Sequence, residues 1–241
     1  MEGTQFRKQN KKLDSMSMRG EFTELEIKYN LTSMAGGVPH GNPPKFVVDN
    51  LLEAISDGKN QYTSSYGHPE ARKYVAEYFQ DKFTHQIDPN TEVLMSNGAL
   101  TTLAIFLEAF IADEEDEVIL IEPFFIFYTS LVLNAKGTIK TVPMVLEDSK
   151  FRLDLDKLRE ALSSKTRLII LNTPHNPTGK VFSLEELEQI SDILEEYPNV
   201  YVLSDEVYYF LTFDGKPHHI FANIKDNWKK TVTVYSGSKV M

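Results

Sequence analysis

A lysine near the end of the sequence follows an apolar run in an unusual setting. Thr231–Tyr235 is a run of β-branched and aromatic residues, which is typical of a buried strand. Small polar residues follow it, Ser236-Gly237-Ser238, and then Lys239. A lysine just beyond the carboxyl end of a core strand is well placed to form a Schiff base with an aldehyde cofactor. The alternative is a solvated lysine at a strand end, so the rest of the chain must decide.

Asp205 follows a second apolar run, Val200–Leu203, and comes three residues before Tyr208. An aspartate at the inner end of a buried strand needs a partner, because an unpaired buried carboxylate is costly. A protonated ring nitrogen would be such a partner. The position therefore suits a carboxylate that binds a heterocyclic cofactor.

Asn176 lies in a loop that follows the apolar run Leu168–Leu171. Pro174 and Pro177 restrict the backbone on both sides of it. We expect a rigid loop in which the Asn176 amide can be aimed at a ligand, although an ordinary Asn-Pro turn would also fit the pattern.

Two more apolar runs lead into candidate binding segments. Glu92–Ser96 is predicted to be a strand, and the small residues after it open a helix near Leu100. Free N–H groups at a helix start, beside the positive end of the helix dipole, bind phosphate well. Glu117–Ile121 leads into a cluster of phenylalanines, and Phe125 is placed to cover the face of a flat cofactor.

The whole pattern alternates short apolar strands with helix-like stretches, which is typical of an α/β protein. We predict a three-layer αβα fold with a mostly parallel sheet, and ligands bind such sheets outside the carboxyl ends of the strands. The five strand ends then describe a pocket for pyridoxal 5'-phosphate. Lys239 would bind the C4′ carbon and move the substrate proton, Asp205 would hold the pyridinium proton, and Phe125 would stack on the ring. Asn176 and Tyr208 would bond the phenolic oxygen.

Composition limits the kinds of partner that we expect. The net charge of −10 argues against a nucleic-acid partner, and 41% hydrophobic residues are ordinary for a soluble protein. No cysteine is present, which excludes disulfides and thiolate metal sites. We expect no metal, no membrane association and a cytoplasmic location, with the mitochondrion as the alternative.

Other chemistries fit less of the sequence. Ser236-Gly237-Ser238-Lys239 also matches the S-x-x-K pattern of serine acyl-transfer enzymes, but the companion motifs of that class are absent. No G-x-G-x-x-G follows a strand, which argues against a nicotinamide cofactor. His218 and His219 are adjacent and cannot share a helical face, which argues against zinc.

From about Met34 to its end, the chain resembles the fold-type I class I/II aminotransferases. The resemblance rests on three motifs in order, Asn172-x-Pro174-x-Asn176-Pro177-Thr178-Gly179, Asp205-Glu206-Val207-Tyr208 and Ser236-Gly237-Ser238-Lys239. Asn60-Gln61-Tyr62-Thr63 and Ile121-Glu122-Pro123-Phe124-Phe125 look most like the group of kynurenine aminotransferases, also known as glutamine transaminase K and cysteine-conjugate β-lyase.

The resemblance implies a pyridoxal-phosphate-dependent transaminase that moves an amino group from a kynurenine-, aromatic- or glutamine-like amino acid to a 2-oxo acid. It supports the roles given above to Lys239, Asp205, Asn176, Tyr208 and Phe125. It adds further contacts: the backbone of Gly98, Ala99 and Leu100 and the hydroxyl of Ser236 at the phosphate, Gly37 and Asn176 at the substrate, and Tyr62 at the phosphate of a neighbouring subunit. The last contact implies a homodimer.

The sequence departs from this group in two places. Relatives often have an aromatic residue where this chain has Leu100, and members of the family continue well beyond Lys239. We therefore expect residues 1–45 to form an N-terminal arm and small-domain segment, and residues 46–241 a large cofactor-binding domain without its C-terminal small domain. A truncated non-catalytic remnant, or a partner for a complete subunit, is the rival interpretation, and β-elimination of cysteine conjugates shares every residue named here.

Overall fold

The computed structural model describes residues 15–34 and 41–239, which form an α/β fold. Its helices are α1 (Ser15–Tyr29), α2 (Lys45–Ser56), α3 (Pro69–Phe79), α4 (Ala99–Phe110), α5 (Phe127–Asn134), α6 (Leu155–Ala161) and α7 (Leu184–Glu195). Its strands are β1 (Glu117–Glu122), β2 (Thr138–Glu147), β3 (Lys150–Leu153), β4 (Thr166–Asn172), β5 (Tyr201–Asp205) and β6 (Thr231–Val234). A short 3-10 turn, Gly237–Lys239, follows β6.

The strands form one six-stranded sheet in the order β3-β2-β1-β4-β5-β6. All neighbouring strands are parallel except β2 and β3. Asn172 lies opposite Asp205, and Asp205 lies opposite Val234. This register brings the carboxyl ends of β4, β5 and β6 to one edge of the sheet. The loops that follow these strands are therefore neighbours in space.

Each face of the sheet carries its own apolar core, as side chains that alternate along a strand require. Ile119 and Ile121 of β1 pack in a cluster with Leu158 of α6 and Leu187 of α7. Val118 and Leu120, on the other face, pack with residues of α4 and α5 that include Leu103 and Val132. These two cores confirm the predicted three-layer αβα architecture with a mostly parallel sheet.

Most predicted elements are present, but the strand predicted at Glu92–Ser96 is wrong. The segment has no strand partner, and Met95 N–H bonds only a loop carbonyl, that of Tyr66, at 2.9 Å. A strand needs a neighbouring strand to pair its backbone groups. The edge strand β6 pairs with β5 and not with Glu92–Ser96. The apolar pattern could not show whether a partner strand lay beside the segment.

The N-terminal part of the described chain has little apolar burial. The helix α1 was not predicted, because its pattern of apolar residues is weak, and its described side chains are almost all exposed. The helix α2 contains no buried residue. In residues 15–34 and 41–239, no helix is both long and apolar enough to cross a membrane.

The start of α7 offers a test of local stability. The Ser183 hydroxyl accepts a hydrogen bond from Glu186 N–H, and the Glu186 carboxylate accepts one from Ser183 N–H, which completes a capping box. Ser183→Ala should lower the free energy of unfolding by about 1 kcal/mol. This corresponds to a fall of roughly 2–4 °C in the melting temperature measured by calorimetry. Ser56→Ala, at the exposed end of α2, is the control, and an equal fall there would argue against the cap.

Candidate active site

The Asp205 carboxylate is buried at the sheet edge where β4, β5 and β6 end. Asp205 is 4% exposed. Its Oδ2 accepts a hydrogen bond of 2.5 Å from the Tyr128 hydroxyl, and its Oδ1 accepts a longer one, 3.3 Å, from Val207 N–H. Burial raises the pKa of Asp205, and the hydrogen bond from Tyr128 opposes that rise. The weakly bonded Oδ1 is the atom with most capacity left to bind a proton on a ligand.

Tyr128 is a site residue that the sequence reasoning missed. It lies in the first turn of α5, and both burial and the neighbouring Asp205 raise the pKa of its phenol well above the ordinary value. Tyr128 therefore stays a hydrogen-bond donor at all physiological pH values. Tyr128 comes three residues after Phe125, and this spacing was the signal in the sequence that could have indicated it.

Asn172, the last residue of β4, was also missed as a positioning residue. Its side-chain amide donates to the backbone carbonyl of Asp205 at 2.8 Å, and its Oδ1 accepts from Asn176 N–H at 2.7 Å. Asn172 is 3% exposed, so both bonds are shielded from water. One side chain thus fixes the end of β5 and the loop after β4 relative to each other.

His175 makes the same loop rigid. Its backbone N–H and carbonyl bond Lys180 and Gly179, at 2.8 and 2.7 Å, and its Nδ1 lies 2.9 Å from the Thr178 hydroxyl. Burial lowers the pKa of His175 to about 4, so the ring is neutral at pH 7. The loop thereby holds Asn176 at the sheet edge without bringing in a charge.

Asn176, Tyr208 and Lys239 lie near one another beside Asp205. The Asn176 amide donates to the Tyr208 hydroxyl at 3.3 Å. The Lys239 amine lies 5.6 Å from the centre of the Tyr208 ring, and its positive charge acts to lower the pKa of Asp205. Burial and the charge of Asp205 raise the pKa of Tyr208. An amide, a phenol, a carboxylate and an amine therefore surround one point at the sheet edge.

Ser236 lies between β6 and this amine. Its hydroxyl is 2.7 Å from that of Ser238 in the same turn. The nearest partner of the Ser236 hydroxyl is thus another hydroxyl, whereas the serine acyl-transfer alternative requires a base at that atom.

The start of α4 has the properties of an anion-binding site. Gly98 precedes the helix with a φ of 141°, a conformation that L-residues rarely adopt, and no side chain caps the first turn. The N–H groups of Ala99 and Leu100 belong to that first turn, which has no acidic residue. Leu100 itself is exposed. These features suit a phosphate, and phosphate binding at this turn stays a prediction.

Phe125 lies in the short segment between β1 and α5. Its ring is half-buried and meets the Tyr128 ring edge-on, with 5.5 Å between centroids and 81° between planes. The contact fixes the Phe125 ring next to the donor to Asp205. One face of a flat ligand bound at Asp205 could rest on it.

Tyr62 and Gly37 are the two remaining predicted contacts. Tyr62 is completely exposed in the loop after α2. Gly37 lies outside the described residues. In the part of the chain that the structure describes, no group of three potential metal ligands occurs.

Comparison with known proteins identifies the family. A profile of aminotransferase class I and II matches residues 29–241. The chain belongs to the class I and II aminotransferase family. Aminotransferases of this class, and the kynurenine transaminases among them, depend on pyridoxal phosphate. The donors gathered at the sheet edge fit this cofactor, because they offer a carboxylate, a phenol, an amine and an uncapped helix start.

Two curated aminotransferases illustrate the similarity. Over 234 residues the chain is 40% identical to kynurenine–oxoglutarate transaminase of Dictyostelium discoideum, covering 91% of this chain and 54% of that protein. It is 37% identical over 228 residues to kynurenine–oxoglutarate transaminase 3 of Homo sapiens, covering 91% and 50%. The chain thus spans about half the length of these relatives.

Solved aminotransferase structures have the same fold. N-succinyldiaminopimelate aminotransferase from Mycobacterium tuberculosis matches with a TM-score of 0.89 and 33% identity, covering 96% of this chain and 60% of that one. Aspartate aminotransferase from Thermus thermophilus matches with a TM-score of 0.85 and 26% identity, covering 97% and 61%. These matches confirm the predicted family and its α/β fold.

The raised pKa of Asp205 gives a prediction about stability and pH. A carboxyl group whose pKa is raised by folding stabilises the folded protein when it is protonated, and that contribution is lost as the pH rises through the raised pKa. Asp205→Asn removes the charge, so its stabilising effect on the melting temperature of the cofactor-free protein should grow as the pH rises from the ordinary aspartate pKa, 3.8, through the raised pKa, and then level off. Asp156→Asn, at an exposed carboxylate in α6, is the control. A gain for Asp205→Asn that did not depend on pH would contradict the burial argument.

Proposed function

We propose that this chain is the cofactor-binding part of a pyridoxal-phosphate-dependent transaminase. In this proposal, residues 46–241 hold the cofactor and residues 1–45 form an arm beside it. The observation that carries the proposal is the convergence of the amide of Asn176, the phenol of Tyr208 and the amine of Lys239 beside buried Asp205.

Each residue has a role that its environment supports. Pyridoxal phosphate, when bound, supplies an electron sink for negative charge at the substrate Cα. Asp205 keeps the proton on the ring nitrogen, and Tyr128 keeps Asp205 in place. Asn176 and Tyr208 bond the phenolic oxygen, and Phe125 covers one face of the ring.

Lys239 has two roles in the proposal. Its amine would hold the C4′ carbon of the cofactor, and when free it would accept a proton from the substrate Cα and give it up again. The N–H groups of Gly98, Ala99 and Leu100 bind the phosphate together with the Ser236 hydroxyl. Gly37 and Asn176 contact the substrate.

The donor substrate is an amino acid of the kynurenine, aromatic or glutamine type, and the acceptor is a 2-oxo acid. This choice is supported by the names of the two curated relatives, both kynurenine–oxoglutarate transaminases. β-Elimination of cysteine conjugates would use the same residues and is the second candidate. Product analysis with kynurenine and with a cysteine conjugate separates the two reactions.

Covalent trapping tests the proposed role of Lys239. Purified protein is incubated with pyridoxal phosphate, reduced with borohydride and mapped by mass spectrometry. We expect a visible absorption band before reduction and a pyridoxyl group on Lys239 after it. Lys239→Ala should abolish both signals, because Lys239 is the lysine that lies over the Tyr208 ring and acts on Asp205.

Lys229→Ala is the matched control for this experiment. Lys229 is an exposed lysine ten residues earlier, paired with Asp226. Its removal should leave the trapping at Lys239 unchanged. Absence of the absorption band in the unaltered protein, or label spread over surface lysines, would instead support the non-catalytic remnant.

A homodimer is part of the same proposal. The helix α2 presents Phe46, Leu51, Leu52 and Ile55 to solvent, each more than half exposed. Burying such apolar surface against a second copy would be favourable, at about 25 cal/mol per Å². The fully exposed Tyr62, just after α2, is then free to reach the phosphate in the neighbouring subunit.

Charge substitution on α2 tests the dimer. Leu51→Asp should convert a dimer into a monomer, measured by light scattering after size-exclusion chromatography, because it places a carboxylate in the apolar interface. Asn50→Asp adds the same charge at the neighbouring exposed position and should leave the dimer intact. A monomer for the unaltered chain would rule out a dimer formed by this chain alone.

A further inference from the structure

A second carboxylate, Glu206, is buried directly after Asp205 and has a separate set of partners. Glu206 is 0% exposed. Its Oε1 accepts from the Ser204 hydroxyl at 2.8 Å, and its Oε2 lies 2.8 Å from His218 Nε2 and accepts from the Tyr235 hydroxyl at 3.2 Å. None of these three donors bonds Asp205. The roles proposed above leave this cluster unexplained.

The three donors come from different segments that meet at the same sheet edge. Ser204 belongs to β5, Tyr235 is the first residue after β6, and His218 belongs to the loop between these strands. The Glu206 N–H also bonds the carbonyl of Val234, at 2.9 Å. Glu206 therefore ties the end of β5 to the end of β6 through its backbone and its side chain.

Tyr235 is held firmly within this cluster. Its ring stacks on Phe79 of α3, with 4.2 Å between centroids and 19° between planes. Burial and the charge of Glu206 raise the pKa of Tyr235 well above the ordinary value, so its hydroxyl remains a donor. The backbone at Tyr235 thus leaves β6 in a direction fixed by the ring stack and by the bond to Glu206.

Only three residues separate Tyr235 from Lys239. Ser236 precedes the 3-10 turn, and Gly237 and Ser238 are the residues of that turn that come before the lysine. So short a segment transmits the direction of the chain at Tyr235 to the position of the amine. Glu206 thus holds the point from which the turn that contains Lys239 begins.

We propose that Glu206, bonded by His218 and Tyr235, is a positioning residue that sets the place of the Lys239 amine relative to Asp205. The inference rests on the function proposed above for Lys239 and Asp205. A buried carboxylate is weak evidence for stability, because its desolvation offsets much of what its bonds contribute. A role in geometry accounts for its three donors better than a purely stabilising role does.

Two variants weaken or remove the bond between Glu206 and Tyr235 with little change in shape. Glu206→Gln removes the charge and replaces one acceptor oxygen with an NH2 group, and Tyr235→Phe removes the hydroxyl and keeps the stacked ring. Tyr209→Phe is the matched control, because the Tyr209 ring packs edge-on against those of Tyr235 and His218 but its hydroxyl is not one of the three donors to Glu206. All measurements are made below the melting temperature of each variant.

The first readout needs no cofactor. Hydrogen exchange of the backbone amides of residues 236–239, followed by mass spectrometry, should be about tenfold faster in Glu206→Gln and Tyr235→Phe, the change expected when one charge-assisted hydrogen bond is lost. The amides of β5 and β6 should exchange as in the unaltered protein, and Tyr209→Phe should resemble it throughout. Equal acceleration along both strands would indicate a merely structural role and overturn the inference.

The second readout is the rate at which pyridoxal phosphate is trapped at Lys239 by borohydride. We expect it to fall about tenfold in both variants and to be unchanged in Tyr209→Phe. Trapping at the unaltered rate in a folded Tyr235→Phe protein would overturn the inference, even if Glu206→Gln does not fold. If the unaltered protein is not trapped at all, the proposed function fails, and hydrogen exchange alone decides whether Glu206 positions the Lys239 turn.

Discussion

The hydrogen bond from Tyr128 to the buried carboxylate of Asp205 is the interaction on which the rest of the site depends. Asp205 has lost nearly all contact with water, so its charge must be supported by the protein. Tyr128 supplies that support from α5, while Asn172 holds the backbone of Asp205 from β4. The carboxylate therefore has one fixed position, and its charge acts on Tyr208 and is acted on by Lys239.

Parallel pairing of β4, β5 and β6 is what brings these residues together. Because the strands run in the same direction with Asn172, Asp205 and Val234 in register, their carboxyl ends form a single edge. Residues more than thirty positions apart in sequence, such as Asn176 and Tyr208, are then joined by one hydrogen bond. Asp205 and Glu206 are neighbours in sequence, yet their bonds lead to different elements, α5 for the first and the end of β6 for the second.

The two halves of the described chain differ in how they bury apolar residues. The sheet and the helices α4 to α7 enclose two dense cores, in which Ile119, Leu120 and Ile169 are completely shielded from water. The helices α1 and α2 pack little against these cores and leave apolar side chains exposed. The stability of the chain on its own is therefore concentrated in the sheet layer, which is also the layer that carries the site.

The sequence by itself determined the alternation of most helices and strands, the parallel α/β class and the family, because hydrophobic periodicity and the residues at strand ends are local properties. It also indicated Asp205, Asn176, Tyr208 and Lys239, since each comes shortly after an apolar run. Only the tertiary structure decided which groups touch them: the donor from Tyr128, the bridge from Asn172 and the cluster around Glu206 join residues that are far apart in the chain. It also decided against a strand at Glu92–Ser96, because an extended segment becomes a strand only where another strand lies beside it to pair its backbone groups.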